Sequence, residues 1–276
     1  MASSLAFWDG IASDWDREIR DVGNDYWTYL QKPALERMVA PKAGEHALEL
    51  ATGNGLVARF LAQYGVDVLG TDGSPKMVSL ASARTVVGEP SAGSLRFQQL
   101  DVSSESEVDA FIAERTAQLA GGADIVTMNM AIMDIEDLQP LAKLLKHLLK
   151  PVTGRFVATL LHPFFFTNNA TRTVEVDEDA NGRRRVVRSI KVKEYLEVAP
   201  HKAGLYLPQS SADDVVFHRP IHALLAPFFA VGLVVDALEE PNFDESFMDE
   251  TRPYGSKSFT QIPKILALRL RLPKPA

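Results

Sequence analysis

Hydrophobic and polar positions along this chain follow two periods in turn. Short apolar runs that close on an acidic residue or a glycine give way to stretches whose apolar positions recur at helical spacing. His46 to Leu50 is the first such run, and Leu56 to Tyr64 behind it sets Val57, Phe60 and Leu61 on one helical face. The same alternation predicts strands at Val66 to Thr71, Leu95 to Leu100, Asp124 to Met130 and Arg155 to Leu161. Helices fall between them. Ser74-Pro75 opens one, Ser104 with Glu107 as a capping box opens another that runs to Leu119, and Asp137 to Leu149 is a third. Strands alternating with helices of this length imply a parallel sheet with right-handed crossovers. Ahead of the first strand, residues 7–38 mix aromatic and polar positions and read as one or two helices.

After Pro163 the period shortens. Thr171 to Val176 and Arg184 to Val198 alternate as strands around Asn181-Gly182, a hairpin turn signal. A Gly- and Pro-containing stretch follows, then a helix from about Val216 to Ala230. Two closing strands are expected at Leu233 to Leu238 and Ile262 to Leu270. The expectation is a single α/β domain over 1–276, with a helical lid at 5–40 and a cap inserted at about 165–215.

Composition narrows the function. The chain has 276 residues, 46% hydrophobic and 24% charged, with 36 acidic against 29 basic side chains and a net charge of -7. That sign argues against a nucleic-acid partner, which needs a basic stripe to displace counterions. Arg183-Arg184-Arg185 with Arg188 follows Asp177-Glu178-Asp179 and reads as a solvated hairpin tip. The absence of cysteine excludes disulfides, Cys-ligated zinc, iron–sulfur clusters and a thiolate nucleophile; no metal site is expected. No apolar run approaches the roughly 20 residues of a membrane span, and Met1-Ala2-Ser3-Ser4 lacks the head of a signal peptide. A cytoplasmic enzyme, monomeric or homodimeric, is the expectation.

In an open α/β sheet, ligands bind beyond the carboxyl ends of the strands where strand order reverses. The first strand-to-helix turn is Glu49-Leu50-Ala51-Thr52-Gly53-Asn54-Gly55. Small residues let a ligand lie against that backbone, and the following helix offers unpaired N–H groups. Gly53-Asn54-Gly55-Leu56-Val57-Ala58 also satisfies a dinucleotide fingerprint, so an NAD-dependent oxidoreductase stays open. The acidic residues at successive strand ends point elsewhere. Glu49 would be awkward beside a pyrophosphate but suits an ammonium or sulfonium. Asp72, followed by Gly73, is placed for ribose hydroxyls, and Asp101 for an adenine amine.

On Glu49 to Gly55, Asp72 and Asp101, the chain resembles a class I methyltransferase dependent on S-adenosylmethionine (SAM), of the UbiE-like small-molecule type. The resemblance covers about residues 7–270, with Ala51 standing where the family has its first glycine. It implies a Rossmann-like doubly wound sheet of seven strands with the last antiparallel, SAM as cofactor and S-adenosylhomocysteine as product. It also implies roles: Glu49, Ala51, Gly53, Asn54 and Gly55 along methionine and ribose, Asp72, Gly73 and Met77 at ribose and adenine, Asp101 and Val102 around adenine. Asn129 and Met130 would lie under the sulfonium. The stretch from Phe7 to Trp15 resembles a segment that closes over SAM, with Trp15 where tyrosine is frequent.

Most of the rate of methyl transfer can come from positioning, and a base is needed only for a protonated acceptor. His162 beyond the fifth strand is the first candidate base, His218 the second, and Asp134 a candidate for orienting the acceptor. Tyr26, Trp27, Met133, Phe165 and Tyr206 are the expected lining for a small apolar or aromatic substrate, alongside Phe164 and Phe166. A SAM-binding protein that does not methylate, a cyclase or a regulatory module, is the other alternative.

Overall fold

The computed structural model describes residues 4–84, 93–119, 121–166, 170–203, 214–249 and 251–274. Its frame is a seven-stranded sheet built from β1 (His46–Leu50), β2 (Asp67–Asp72), β3 (Leu95–Gln99), β4 (Ile125–Asn129), β5 (Arg155–Leu161), β10 (Val234–Glu239) and β11 (Ile265–Arg271). The order across the sheet is β10-β11-β5-β4-β1-β2-β3. Strands β1 to β5 pair in parallel, and β11 runs antiparallel to both β5 and β10. The chain leaves β1 for β2 on one side and returns to β4 on the other, so the switch point that opens a ligand crevice lies between β1 and β4.

Helices cover both faces, which is why the central strands are apolar almost throughout. Alternation still sorts their side chains. Leu48, Leu50, Val126, Met128, Phe156, Ala158 and Leu160 face α5 (Glu105–Gln118), α6 (Gln139–Leu148) and α7 (Ile221–Ala230). Ala47, Ile125 and Val157 face α2 (Lys32–Val39) and α3 (Leu56–Ala62). Continuing that second row toward the carboxyl ends gives buried Glu49, Thr127 and Thr159 and half-buried Asn129, so the α2/α3 face turns polar where the crevice opens. Caps place the helices: Ser74 accepts from the Met77 amide at 3.2 Å to start α4 (Pro75–Ala83). Ser104 accepts from Glu107 N at 3.4 Å, but the Glu107 carboxylate turns to the amide of Asp101 at 2.9 Å, not to Ser104 as a capping box requires.

Ahead of β1 the chain forms α1 (Ser4–Ile19), a π-helical turn at Trp27–Gln31, and α2. Beyond β5, β6 (Ala170–Glu178) and β7 (Arg184–Val192) form an antiparallel ribbon whose turn is closed by Asp179, which accepts from the amides of Asn181 and Arg183. Strand β7 stops at Val192, short of the expected Val198, because β6 begins at Ala170 and its last pair is Ala170 with Val192. Two short strands were not read from the sequence: β8 (His201–Ala203) pairs with β9 (Asp214–Val216). The helix expected from Val216 begins at Ile221 instead. Pro220 holds an extended backbone (φ -60, ψ 153) and disfavours helix in the residue before it. No helix among the described residues is long and apolar enough to cross a membrane.

Candidate active site

The turn after β1 folds over its own strand. Ala51, Gly53 and Gly55 all adopt left-handed backbone, with φ of 53, 55 and 82 degrees. Two of the three are glycine, and alanine carries the smallest side chain that can occupy the third. At Gly55 a Cβ would lie 2.9 Å from Phe97 Cζ, so this glycine is required for packing of the turn on β3. At Gly53 a Cβ would meet only Trp15 Nε1, at 3.8 Å, so the face of that peptide is open toward the lid.

Two carboxyl groups flank the turn, Glu49 buried and Asp72 half-buried. Glu49 is 2% exposed and accepts from the Thr52 hydroxyl at 2.5 Å. Burial pushes its carboxyl up to about 8, against the Thr52 bond and the positive field of Arg59. Asp72 closes β2: one oxygen accepts from Gly53 N and the other from Ser74 N, both at 2.9 Å. Burial also raises Asp72, against those two amides. Asp101, just past β3, turns its carboxylate back on Ser103, accepting from N at 2.9 Å and Oγ at 2.7 Å. Its Cβ lies 3.6 Å from where one would sit on Gly73, which places Asp101 beside the β2 turn. Val102, its neighbour in sequence, and Met77 on α4 are both buried.

Helix α1 is fastened across these turns at both ends. Asp9 accepts from Ser74 Oγ at 2.7 Å and pairs with Lys76 at 3.1 Å. Asp16 accepts from Asn54 Nδ2 at 3.0 Å and from Arg84 Nη2 at 3.0 Å, and Arg84 also reaches Asp21 at 2.9 Å. Burial would raise the Asp16 carboxyl, but the Arg84 and Asn54 bonds outweigh it and hold it low. Trp15 stands edge-on to Trp8, at 5.4 Å between centroids.

At the end of β4, Asn129 donates to Gln31 Oε1 at 3.1 Å and accepts from Thr159 Oγ1 at 2.6 Å. Met130 follows in left-handed backbone (φ 56), a conformation that bulky side chains adopt only where the surroundings force it. Gln31, 7% exposed in the π-helical turn, was missed by sequence reasoning; π turns concentrate at functional sites, but nothing in the sequence marks one.

The acceptor side is less concentrated. His162 is 3% exposed, with Nε2 bonded to Glu240 at 2.9 Å and Nδ1 accepting from Phe164 N at 3.3 Å. Burial lowers it despite Glu240. Both ring nitrogens are engaged, so His162 has no lone pair to offer an acceptor. His218 donates from Nε2 to the Tyr195 carbonyl at 2.7 Å. Asp134 sits in a single turn (Ile132–Asp134) whose Met133 carbonyl accepts from Phe217 N at 2.8 Å, tying the stretch after β9 to the end of β4. Phe165 packs on His162 (4.8 Å between centroids) and on Phe164. Tyr26 bonds Ser256 and packs on Phe243. Trp27 does not line the mouth: it is 6% exposed, packed on Phe60 in the core beneath α3. Tyr206 lies outside the described residues.

The cradle can hold a cationic, hydroxyl-bearing ligand. Glu49 is a buried carboxyl whose charge burial suppresses, and a ligand ammonium would restore it. The open peptide at Gly53 leaves room for a ligand beside the lid.

The sequence profile of a family described as "Methyltransferase domain" matches residues 23–209. Among characterised proteins, the chain is 38% identical over 81 residues to a demethylmenaquinone methyltransferase of Clavibacter sepedonicus, 29% of this chain and 32% of that one. It is 40% identical over 57 residues to the ubiquinone/menaquinone biosynthesis C-methyltransferase UbiE of Zymomonas mobilis, 21% of this chain and 24% of that one. The matched stretches thus span a third or less of these relatives. Of solved structures, an S-adenosylmethionine dependent methyltransferase from Mesorhizobium loti superposes with a TM-score of 0.60 at 22% identity, covering 87% of this chain and 96% of that chain, a likeness of fold.

Proposed function

This chain belongs to the methyltransferase-domain family, and from that premise we propose that it binds SAM across the ends of β1, β2 and β3 and methylates a small molecule. The acceptor is an O, N, S or C nucleophile on an apolar or aromatic metabolite. The observation that carries the reading is the pair of carboxyls, buried Glu49 and half-buried Asp72, on either side of an open glycine turn under α1. SAM supplies an electrophilic methyl group on a sulfonium, which needs no protein nucleophile.

The chain's residues then bind, orient and exclude water. Glu49 faces the ammonium, Ala51, Gly53, Asn54 and Gly55 give the backbone floor, and Asp72 with Gly73 takes the ribose. Asp101, Val102 and Met77 surround the adenine, Asn129 and Met130 hold the sulfonium end, and Trp15 covers it from α1. Asn129 is preorganised for this by its bonds to Gln31 and Thr159, so that part costs no rearrangement on binding. Family membership sets aside the dinucleotide reading of the same glycines. Calorimetric titration of SAM, S-adenosylhomocysteine and NAD into the protein tests the proposal. Binding of the first two without NAD is expected; binding of NAD alone overturns it.

A further inference from the structure

Past the ends of β4 and β5 lies a small, partly open cavity of about 40 Å³, between the Ile132–Asp134 turn and the β8–β9 pair. Its walls are largely apolar, with Met133, Leu160, Phe166 and Phe217 among them, and its polar groups are His201, His218 and Arg219. Arg219 is spent on the carbonyls of Ile135 and Glu136, each at 2.5 Å. His218 donates from Nε2 to Tyr195. The Nδ1 of His201 is buried without a partner among the described residues. Burial and the neighbouring His218 push this imidazole's pKa down, against the backbone of Ala199.

We propose that this cavity receives the hydroxyl-bearing end of the methyl acceptor, and that His201 selects it by a hydrogen bond at Nδ1. The proposal rests on the methyltransferase reading and adds a substrate class: an uncharged phenol or alcohol with an apolar body. An anionic end would find Arg219 already committed, and among the described residues no carboxylate lines the cavity to receive a cationic one. A buried polar atom without a partner is costly, so a ligand that brings one gains more than its own hydrogen bond. Met133 and Phe166, both half-buried, are the walls that yield to a ring larger than the resting cavity.

The probes are p-cresol and toluene, which differ by the hydroxyl, titrated with and without S-adenosylhomocysteine. In the wild-type protein p-cresol should move the His201 Nδ1 nitrogen resonance and bind about tenfold more tightly than toluene. In His201→Phe that preference should vanish while toluene binding persists. Equal binding of the two probes, binding of neither, an unmoved His201 resonance, or a preference that survives His201→Phe overturns the proposal. The wild-type resonance keeps the test decisive if the variant misfolds. Calorimetry of S-adenosylhomocysteine on the same samples reads the cofactor proposal separately, since either result can fail while the other stands.

Discussion

The two sides of the crevice are built differently. On the β1–β2 side, the polar groups are paired within a compact set of turns, and α1 is fastened across them through Asp9 and Asp16. On the β5 side, the wall is assembled from the Ile132–Asp134 turn, the stretch after His162, and the β8–β9 pair, all distant in sequence. There a histidine nitrogen is buried without a partner among the described residues. The first side has the character of a preorganised binding cradle, the second of a pocket completed by what enters it. Under the proposed function, the difference implies that affinity for the cofactor and choice of acceptor reside in separately built halves, so substitutions should separate them.

Five substitutions break or sharpen that contrast. Asp72→Ala removes the proposed ribose acceptor and the partner of Gly53 and Ser74 amides; S-adenosylhomocysteine affinity should fall by about a hundredfold or more, read by calorimetry. Gly55→Ala forces a Cβ into left-handed backbone against Phe97, which should cost about 2 kcal/mol in denaturant unfolding. Asp16→Ala unties one end of α1. Release of bound S-adenosylhomocysteine should accelerate about fivefold in stopped flow, and the salt dependence of that rate should flatten. On the far side, Val176→Thr and Val186→Thr, exposed on the ribbon, should change stability by less than about 0.5 kcal/mol and leave cofactor affinity unchanged.

The same contrast explains what was legible in the sequence. β1 and β5 begin and end where their apolar runs do, at His46–Leu50 and Arg155–Leu161, and Ser74-Pro75 opens α4 as read. These signals are local: an apolar run, a cap, a turn glycine. The positions of Glu49, Gly53 and Asp72 follow from strand ends for the same reason. The acceptor side was read poorly because its contacts are not local. Three-residue strands at His201–Ala203 and Asp214–Val216 carry too few residues to show a period, and His201 has no neighbouring motif. Gln31 meets Asn129 across 98 positions. Trp27 was misplaced because an aromatic in a helical stretch looks the same whether it lines a mouth or fills a core; its packing on Phe60 decides for the core. His162 was well located at the end of β5, but the sequence does not show that Glu240 and Phe164 engage both of its nitrogens.

Glu49 supplies the most direct test. Its carboxyl is raised from 4.5 to about 8 in the folded protein, so the ligand-free fold holds a proton there that the unfolded chain releases. Stability from this group is therefore fully present below about pH 4.5 and is lost as the pH rises through 8. A ligand ammonium beside Glu49 would lower the carboxyl again and expel that proton, so affinity should increase with pH up to about 8. The measurement is calorimetric titration of S-adenosylhomocysteine near pH 7 in buffers of different ionisation heat, on wild type and Glu49→Gln. The account predicts proton release on binding to the wild type, and weaker binding without release in the variant. No binding, or the same proton count in both proteins, would contradict the placement of the cofactor at the end of β1.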